Sequence, residues 1–282
     1  MLLSSVADAP VRRAKPLLGT IVAIEARGHR AESAVQRAFA EIARIHALMS
    51  FHEDGSDINR INRSEIDQWV RVDPATLSVL IAAQNFAELS NGAFDVTIGG
   101  ALVAAGLLPS PERTHPSPHA NWTCLELDPQ QQRVRRRARA WIDLGGIAKG
   151  FAVDHALAVL RDAGCEYAVV NAGGDVASFG RDQPTLLRPS IGDDQSPVIT
   201  LRDGALAVSD ASETPGAHAH KTGAMPLLKA ACVLAPTCME ADAFTKIVLF
   251  NGDASAAALA ALGSFALVRD DAGWRELGSA HA

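Results

Sequence analysis

Residues 141–154, W-I-D-L-G-G-I-A-K-G-F-A-V-D, constrain the fold of this chain more than any other stretch. They read as a strand that ends at Asp143, a corner at Gly145 and Gly146, and a helix that opens near Ile147. The free N–H groups of a helix start, with Lys149 in its first turn, favour an anionic ligand. No Gly-Lys-Ser/Thr follows the glycines, so the spacing is not that of a P-loop. An ordinary strand-to-helix turn with a solvated lysine accounts for the same letters.

What surrounds this stretch is a chain able to bury it. Of 282 residues, 48% are hydrophobic, enough for a substantial core. The formal charge of −6 argues against general nucleic-acid binding, which needs a basic face. Cys124, Cys165, Cys232 and Cys238 lie far apart with no C-x-x-C spacing, as expected of reduced, buried thiols. The first residues carry neither a secretory h-region nor a lipoprotein cysteine, and no run of about 18 apolar residues follows. A cytoplasmic protein with no membrane span is the expectation.

In chain order, residues 20–26 form a first strand between the Gly19 corner and Gly28. Val35, Phe39, Ile42, Ile45 and Met49 recur every three or four positions, the stripe of an amphipathic helix over residues 31–49. A polar turn and short helix follow. The next helix has Asp73 to cap it, Pro74 in its first turn, Gly92 to end it, and a stripe of Leu77, Leu80, Ile81, Gln84 and Leu89. Residues 91–100 make a glycine-flanked turn that carries an acid, and residues 106–121 a proline-rich surface loop. Strands over 122–127 and 133–142 come next. Arg135, Arg137 and Arg139 share one face of the second, as a solvated surface or a nucleic-acid groove. After the central stretch a helix ends at Gly164, and a strand over 167–171 leads to a second glycine corner, Asn171–Asp175 in N-A-G-G-D. Strands over 206–208 and 231–235, an apolar run to Phe250, an alanine-rich helix over 254–262 and a hairpin over 265–277 complete the pattern. The fold class expected is α+β, one unit over residues 1–282, with mixed strands and helices packed against sheet faces.

The glycine corners and acids form an ordered series: P-L-L-G-T, M-S-F-H-E-D-G-S-D-I-N-R-I-N, G-A-F-D-V-T, I-D-L-G-G-I-A-K-G-F-A-V-D, N-A-G-G-D-V and M-E-A-D-A-F-T-K. In this series the chain resembles the ApbE family of flavin transferases over about residues 16–252. D-L-G-G-I-A-K-G and N-A-G-G-D are the most specific blocks. The resemblance implies an enzyme that binds FAD and a divalent cation, usually magnesium. Such an enzyme cleaves the FAD pyrophosphate and places FMN on a threonine or serine hydroxyl of an acceptor protein, releasing AMP. Some members use water as acceptor and act as FAD pyrophosphatases. A cation on the phosphate oxygens and a base for the attacking hydroxyl are what such phosphoryl transfer needs.

Carried over residue by residue, the resemblance implies a flavin site of Leu18, His52, Ala93, Phe94, Asp95, Asp143 and Lys149. Core packing competes for Leu18 and Phe94, and turn capping for Asp95. Asn171 and Asp175 are expected to brace the second corner. The metal would draw on the Gly146 carbonyl, the Asp242 carboxylate and the Thr245 hydroxyl, oxygen donors suited to a hard cation. His220 or His218 would stand for the family's histidine as the base, His220 being nearer Thr222 and Gly223. The same histidines with Cys232 or Cys238 match no standard zinc spacing.

The chain departs from the family pattern at several places. Leu18-Gly19-Thr20 stands for Met-Gly-Thr, and Ser209-Asp210-Ala211 for a small Thr-Ser-Gly turn. H-A-H-K-T-G shortens the family's H-x-I-D-P-x-T-G, and Lys246 holds the position where the family places threonine, four residues after Asp242. Two readings stay open: an active flavin transferase or FAD pyrophosphatase, and a non-catalytic FAD-binding or flavoprotein-assembly protein.

Overall fold

The computed structural model describes residues 9–111, 115–186, 197–211 and 223–278. In chain order its elements are β1 (Val11–Leu17), β2 (Thr20–Arg27), α1 (Ala31–Met49), α2 (Asp57–Asn62), β3 (Val70–Arg71), α3 (Pro74–Leu89) and α4 (Gly99–Ala104). Next come β4 (Leu125–Asp128), β5 (Arg133–Arg136), α5 (Ala148–Asp162), β6 (Tyr167–Ala172), β7 (Asp175–Phe179), β8 (Gln183–Leu186) and β9 (Val198–Leu201). The chain closes with β10 (Gly204–Asp210), β11 (Ala230–Ala235), α6 (Cys238–Asn251), α7 (Ala256–Ala261), β12 (Phe265–Asp270) and β13 (Gly273–Leu277).

An eight-stranded antiparallel sheet, ordered β1-β2-β6-β7-β10-β11-β12-β13, is the platform. Side chains alternate between its faces. Val22, Ile24 and Ala26 of β2 turn to the same core as Ala168 and Val170 of β6 and Ala207 and Val233 of β10 and β11, beneath α1, α5 and α6. Alanine is frequent there, which lets the helices sit close. Val169, Val176, Leu206 and Cys232 point to the opposite face and pack with Ile199 and Leu201 of β9, so the β8–β9 ribbon lies over that side. A three-stranded sheet, β3-β5-β4, stands apart.

The helices form for local reasons. All five stripe residues of α1 are buried, and each is worth about 1.5–3 kcal/mol on removal from water. Asp73 caps α3 by accepting the Ala75 N–H at 2.8 Å. The helix ends where Asn91 and Gly92 take positive φ, with the Gly92 N–H returning to the Ala87 carbonyl. Leu89, expected in the stripe, is 47% exposed, because it lies in that last turn.

Other departures concern strands. β5 stops at Arg136 because this residue turns inward, its guanidinium donating to the carbonyls of Ala140 (2.7 Å) and Ser64. Residues 141–143 are not a strand: Trp141 makes one parallel bridge to Ile98, the Asp143 N–H donates to the Val96 carbonyl at 2.8 Å, and a side chain holds the residue between them. The Asn62 amide donates to the Ile142 carbonyl (2.9 Å) and accepts the Ile142 N–H (2.7 Å), doing the work of a neighbouring strand. Strand β1 went unexpected because it is an exposed edge, VRRAKPL, whose arginines and proline carry no apolar alternation. No helix among the described residues is long and apolar enough to cross a membrane.

Candidate functional site

Around the Gly145-Gly146 corner, local chemistry sets each piece. Asp143 folds its carboxylate back onto the Gly145 N–H (2.9 Å), tightening the turn into α5. Burial pushes the Asp143 carboxyl above the usual range, against the pull of that N–H and of His52. One turn into α5, Gly150 touches α6: a Cβ there would lie 2.2 Å from the Cys238 carbonyl, so only glycine permits the approach. Asp154 finishes the joint by accepting the N–H groups of Cys238 (2.8 Å) and Met239 (2.9 Å), the free donors of the α6 start.

A cleft of about 440 Å³ opens beside the corner, and Leu18, Gly19, His52, Asp143, Gly145 and Lys149 are among the residues that line it. Leu18 and Gly19 are the two turn residues between β1 and β2, both at positive φ (57° and 72°). This tight hairpin turn demands that conformation of each. For a leucine it costs about 1–2 kcal/mol, and it sets Leu18 at the cleft. His52 is exposed on the loop after α1. Asn59 steadies that loop, its amide donating to the carbonyls of Phe51 (2.7 Å) and Glu53 (3.0 Å).

Behind the cleft lies a cluster of four charges. The Lys149 ammonium pairs with Asp175 and stands 3.6 Å from Asp242. Lys246, one helical turn after Asp242, pairs with its Oδ1 and donates to its backbone carbonyl at 3.0 Å. The other oxygen, Oδ2, accepts the Gly150 N–H at 3.2 Å. Side-chain exposure is 0% for Asp242, 2% for Asp175, 30% for Lys149 and 19% for Lys246. Burial would lower Lys149, but Asp175 and Asp242 outweigh it and hold the ammonium charged. Burial likewise opposes the charge on Asp242, yet Lys149 and Lys246 bring it below the usual carboxylate range. Asp175 goes the other way, raised by burial and by Asp242.

This arrangement does not fit the divalent cation that the resemblance implies. Both Asp242 oxygens are engaged. The Thr245 hydroxyl donates to the Asp242 carbonyl (2.7 Å) and shares a 2.7 Å hydrogen bond with Ser209. Gly146 faces Lys246, whose Cε lies 3.5 Å from where a Gly146 Cβ would stand. Among the described residues no group of three or more His, Cys, Asp or Glu is placed to hold a metal. The Cys238 thiol is held well above its ordinary pKa by burial and by Asp175, Asp154 and Asp242, while Cys232 lies on the opposite face of the sheet.

The structure thus brings Leu18, His52, Asp143 and Lys149 together, and gathers Gly146, Asp242 and Thr245 beside them with Lys246. Ala93, Phe94 and Asp95 belong to the turn after α3. Phe94 is buried, edge-on to Phe86, and lies under Gly146. Asp95 accepts the N–H (2.8 Å) and hydroxyl (2.7 Å) of Thr97 and the Trp122 N–H (3.3 Å). Asp210, the acid in place of a small residue, pairs with Arg269 at 3.1 Å. His218 and His220 lie outside the described residues. Sequence reasoning passed over Asn59, Asn62 and Gly150; the two asparagines sit on the buried side of α2 beside Ile58 and Ile61, a polar pair where apolar residues are usual.

Comparison with known proteins places the fold in a family. A solved ApbE protein of Thermotoga maritima superposes with a TM-score of 0.83 at 26% identity, over 96% of this chain and 97% of that one. An FAD:protein FMN transferase of Haemophilus influenzae is 25% identical over 91% of this chain and 82% of its own length. That of Chlamydia trachomatis is 32% identical over 62% of this chain, and the match spans 59% of that relative's length. The ApbE family model matches residues 18–267, and the chain belongs to the ApbE family.

Proposed function

We propose that this chain binds FAD in the cleft beside the Gly145-Gly146 corner and transfers its FMN moiety to a serine or threonine hydroxyl of an acceptor protein. The observation that carries this reading is the cleft itself: Leu18, His52 and Asp143 line it, and Lys149 connects it to the buried charge cluster. A flavin and its pyrophosphate need an apolar wall beside cations, and both are present there. Lys149 and Lys246 would neutralise oxygens of the pyrophosphate, and His220, or His218, would take the proton of the attacking hydroxyl. The hydroxyl oxygen bonds to the FMN phosphorus as the bond to the AMP oxygen breaks, and AMP leaves. Preorganised charge of this kind is a main source of catalysis in phosphoryl transfer.

The purified chain incubated with FAD and a serine- or threonine-containing acceptor should release AMP and leave FMN on the acceptor, read by chromatography and mass. Release of both AMP and free FMN would assign FAD hydrolysis instead. Binding of FAD with neither product, across acceptors and with or without magnesium, would favour a flavin-binding role without turnover. Lys149→Ala should weaken FAD by about tenfold or more, a lost charge-assisted contact. It should affect riboflavin much less, and equal losses on both would remove Lys149 from the phosphate site. His220→Ala should lower AMP release far more than FAD affinity, because a base acts in the transition state.

A further inference from the structure

Resting on the flavin reading above, the geometry points to a further feature: the Lys246 ammonium takes the place of a divalent cation, and the chain holds the FAD pyrophosphate through two lysines without metal. Charge is the first argument. Lys149 and Lys246 balance Asp175 and Asp242 one for one, in a cluster where both carboxylates are almost wholly withdrawn from water. A dication added to that set would leave two uncompensated positive charges, and repulsion in a desolvated site is weakly screened. To enter, it would have to expel an ammonium.

Donor occupancy is the second argument. Oxygen ligands of a hard cation must present free lone pairs toward it. Asp242 Oδ1 already accepts from the Lys246 ammonium and Oδ2 from the Gly150 N–H, with the Lys149 ammonium 3.6 Å away, so each oxygen keeps one lone pair and a cation stands beside both. The Thr245 hydroxyl proton is held by the Asp242 carbonyl and its oxygen is shared with Ser209, which fixes its direction.

The third argument is placement of the lysine stem. A lysine at i+4 from an acid often swings to solvent. Here Cδ and Cε pack 3.8 and 3.5 Å from the position of a Gly146 Cβ, so the stem runs under the corner toward the cluster. An ammonium has three N–H donors. Two of them meet Asp242 Oδ1 and the Asp242 carbonyl, which leaves one for a phosphate oxygen.

The test is calorimetric titration of the apo chain with manganese(II) alone, followed by FAD and riboflavin titrations in EDTA and in magnesium. Manganese should give no saturable binding to the wild type. FAD affinity should stay within about twofold whether metal is chelated or present, since a ligand that does not bind cannot be coupled to another. Lys246→Thr should lose FAD affinity in EDTA by about tenfold to a hundredfold. It should regain much of that loss with magnesium, and riboflavin should be unaffected throughout. Saturable manganese binding to the wild type, or FAD binding that magnesium strengthens about tenfold or more, would overturn the proposal. If Lys246→Thr does not fold, as judged by circular dichroism, the wild-type metal titrations decide alone. If the wild type binds neither flavin, the flavin reading falls, and the manganese titration still shows whether a dication enters the cluster.

Discussion

On the three-stranded sheet, Arg135 and Arg137 grip Glu126, and Arg137 also reaches Asp67, with 51% and 56% of the Arg137 and Asp67 side chains in solvent. Beneath the glycine corner, Lys149 and Lys246 grip Asp175 and Asp242, whose side chains keep at most 2%. Both sets join cations to carboxylates, and they differ above all in how far the carboxylates are withdrawn from water. Water screens the exposed members of the first set, so a pair such as Arg137–Asp67 adds little to stability. The second set is desolvated: each charge is costly without its partner, and the arrangement is held only while all four members are present. A cluster of that kind is preorganised for a charged ligand, whereas a solvated face rearranges around one.

The largest expected effect comes from breaking the buried set. Asp242→Ala leaves Lys246 without its carboxylate and two ammoniums with Asp175 alone to balance them, and should cost about 3 kcal/mol, the low end for a broken buried pair because both lysines keep some water. Urea denaturation measures it; a loss below about 1 kcal/mol would place the cluster with surface pairs.

A smaller effect is expected from pH. Burial, reinforced by Asp242, raises Asp175 against the pull of Lys149 and Lys246. The folded protein therefore holds this proton more tightly than the unfolded chain, and stability from it, present at acid pH, is lost as pH rises through the raised value. Asp242 has the opposite sign: its depressed value contributes stability above about pH 4, lost as pH falls through that value. Protonating Asp175 between pH 7 and 5 frees positive charge for the pyrophosphate, so FAD affinity should rise about threefold to tenfold. Riboflavin affinity should not move. Asp175→Asn should flatten the profile; a rise that persists in that variant would remove Asp175 as its cause.

The smallest effect belongs to the outer sheet. Arg135 and Arg137 hold the Glu126 carboxyl below its usual range, but on a side chain that stays exposed to water. Glu126→Gln should leave the urea midpoint unchanged at moderate salt, and FAD binding with it. A clear drop would mean that these arginines form a coupled network rather than separate screened pairs.

Much of the frame was legible because its causes are local. The α1 stripe, the Asp73 cap and Pro74 of α3, and the Gly164 end of α5 each depend on residues within a turn or two of one another. Of the expected site, the sharing of one cleft by Leu18, His52, Asp143 and Lys149 was legible, while the partners of Asp95 (Thr97 and Trp122) and the edge-on packing of Phe94 on Phe86 were not. A turn acid and a buried phenylalanine look the same in sequence whether they touch a ligand or hold the loop beside it.

By itself, then, the sequence determined α1, α3 and α5, the glycine corners, the order of motifs and hence the family, because backbone conformation and periodicity are short-range properties. Tertiary structure alone decided how residues 141–143 are held, between the backbone of residues 96–99 and the amide of Asn62, which lies eighty positions before Ile142 in the chain. It also decided which way Lys246 points. An i, i+4 spacing brings lysine and aspartate to one side of a helix, but whether that side meets water or a second ion pair depends on what packs against it. Here α5 packs there, through Gly150, and places Lys149 and the corner against α6.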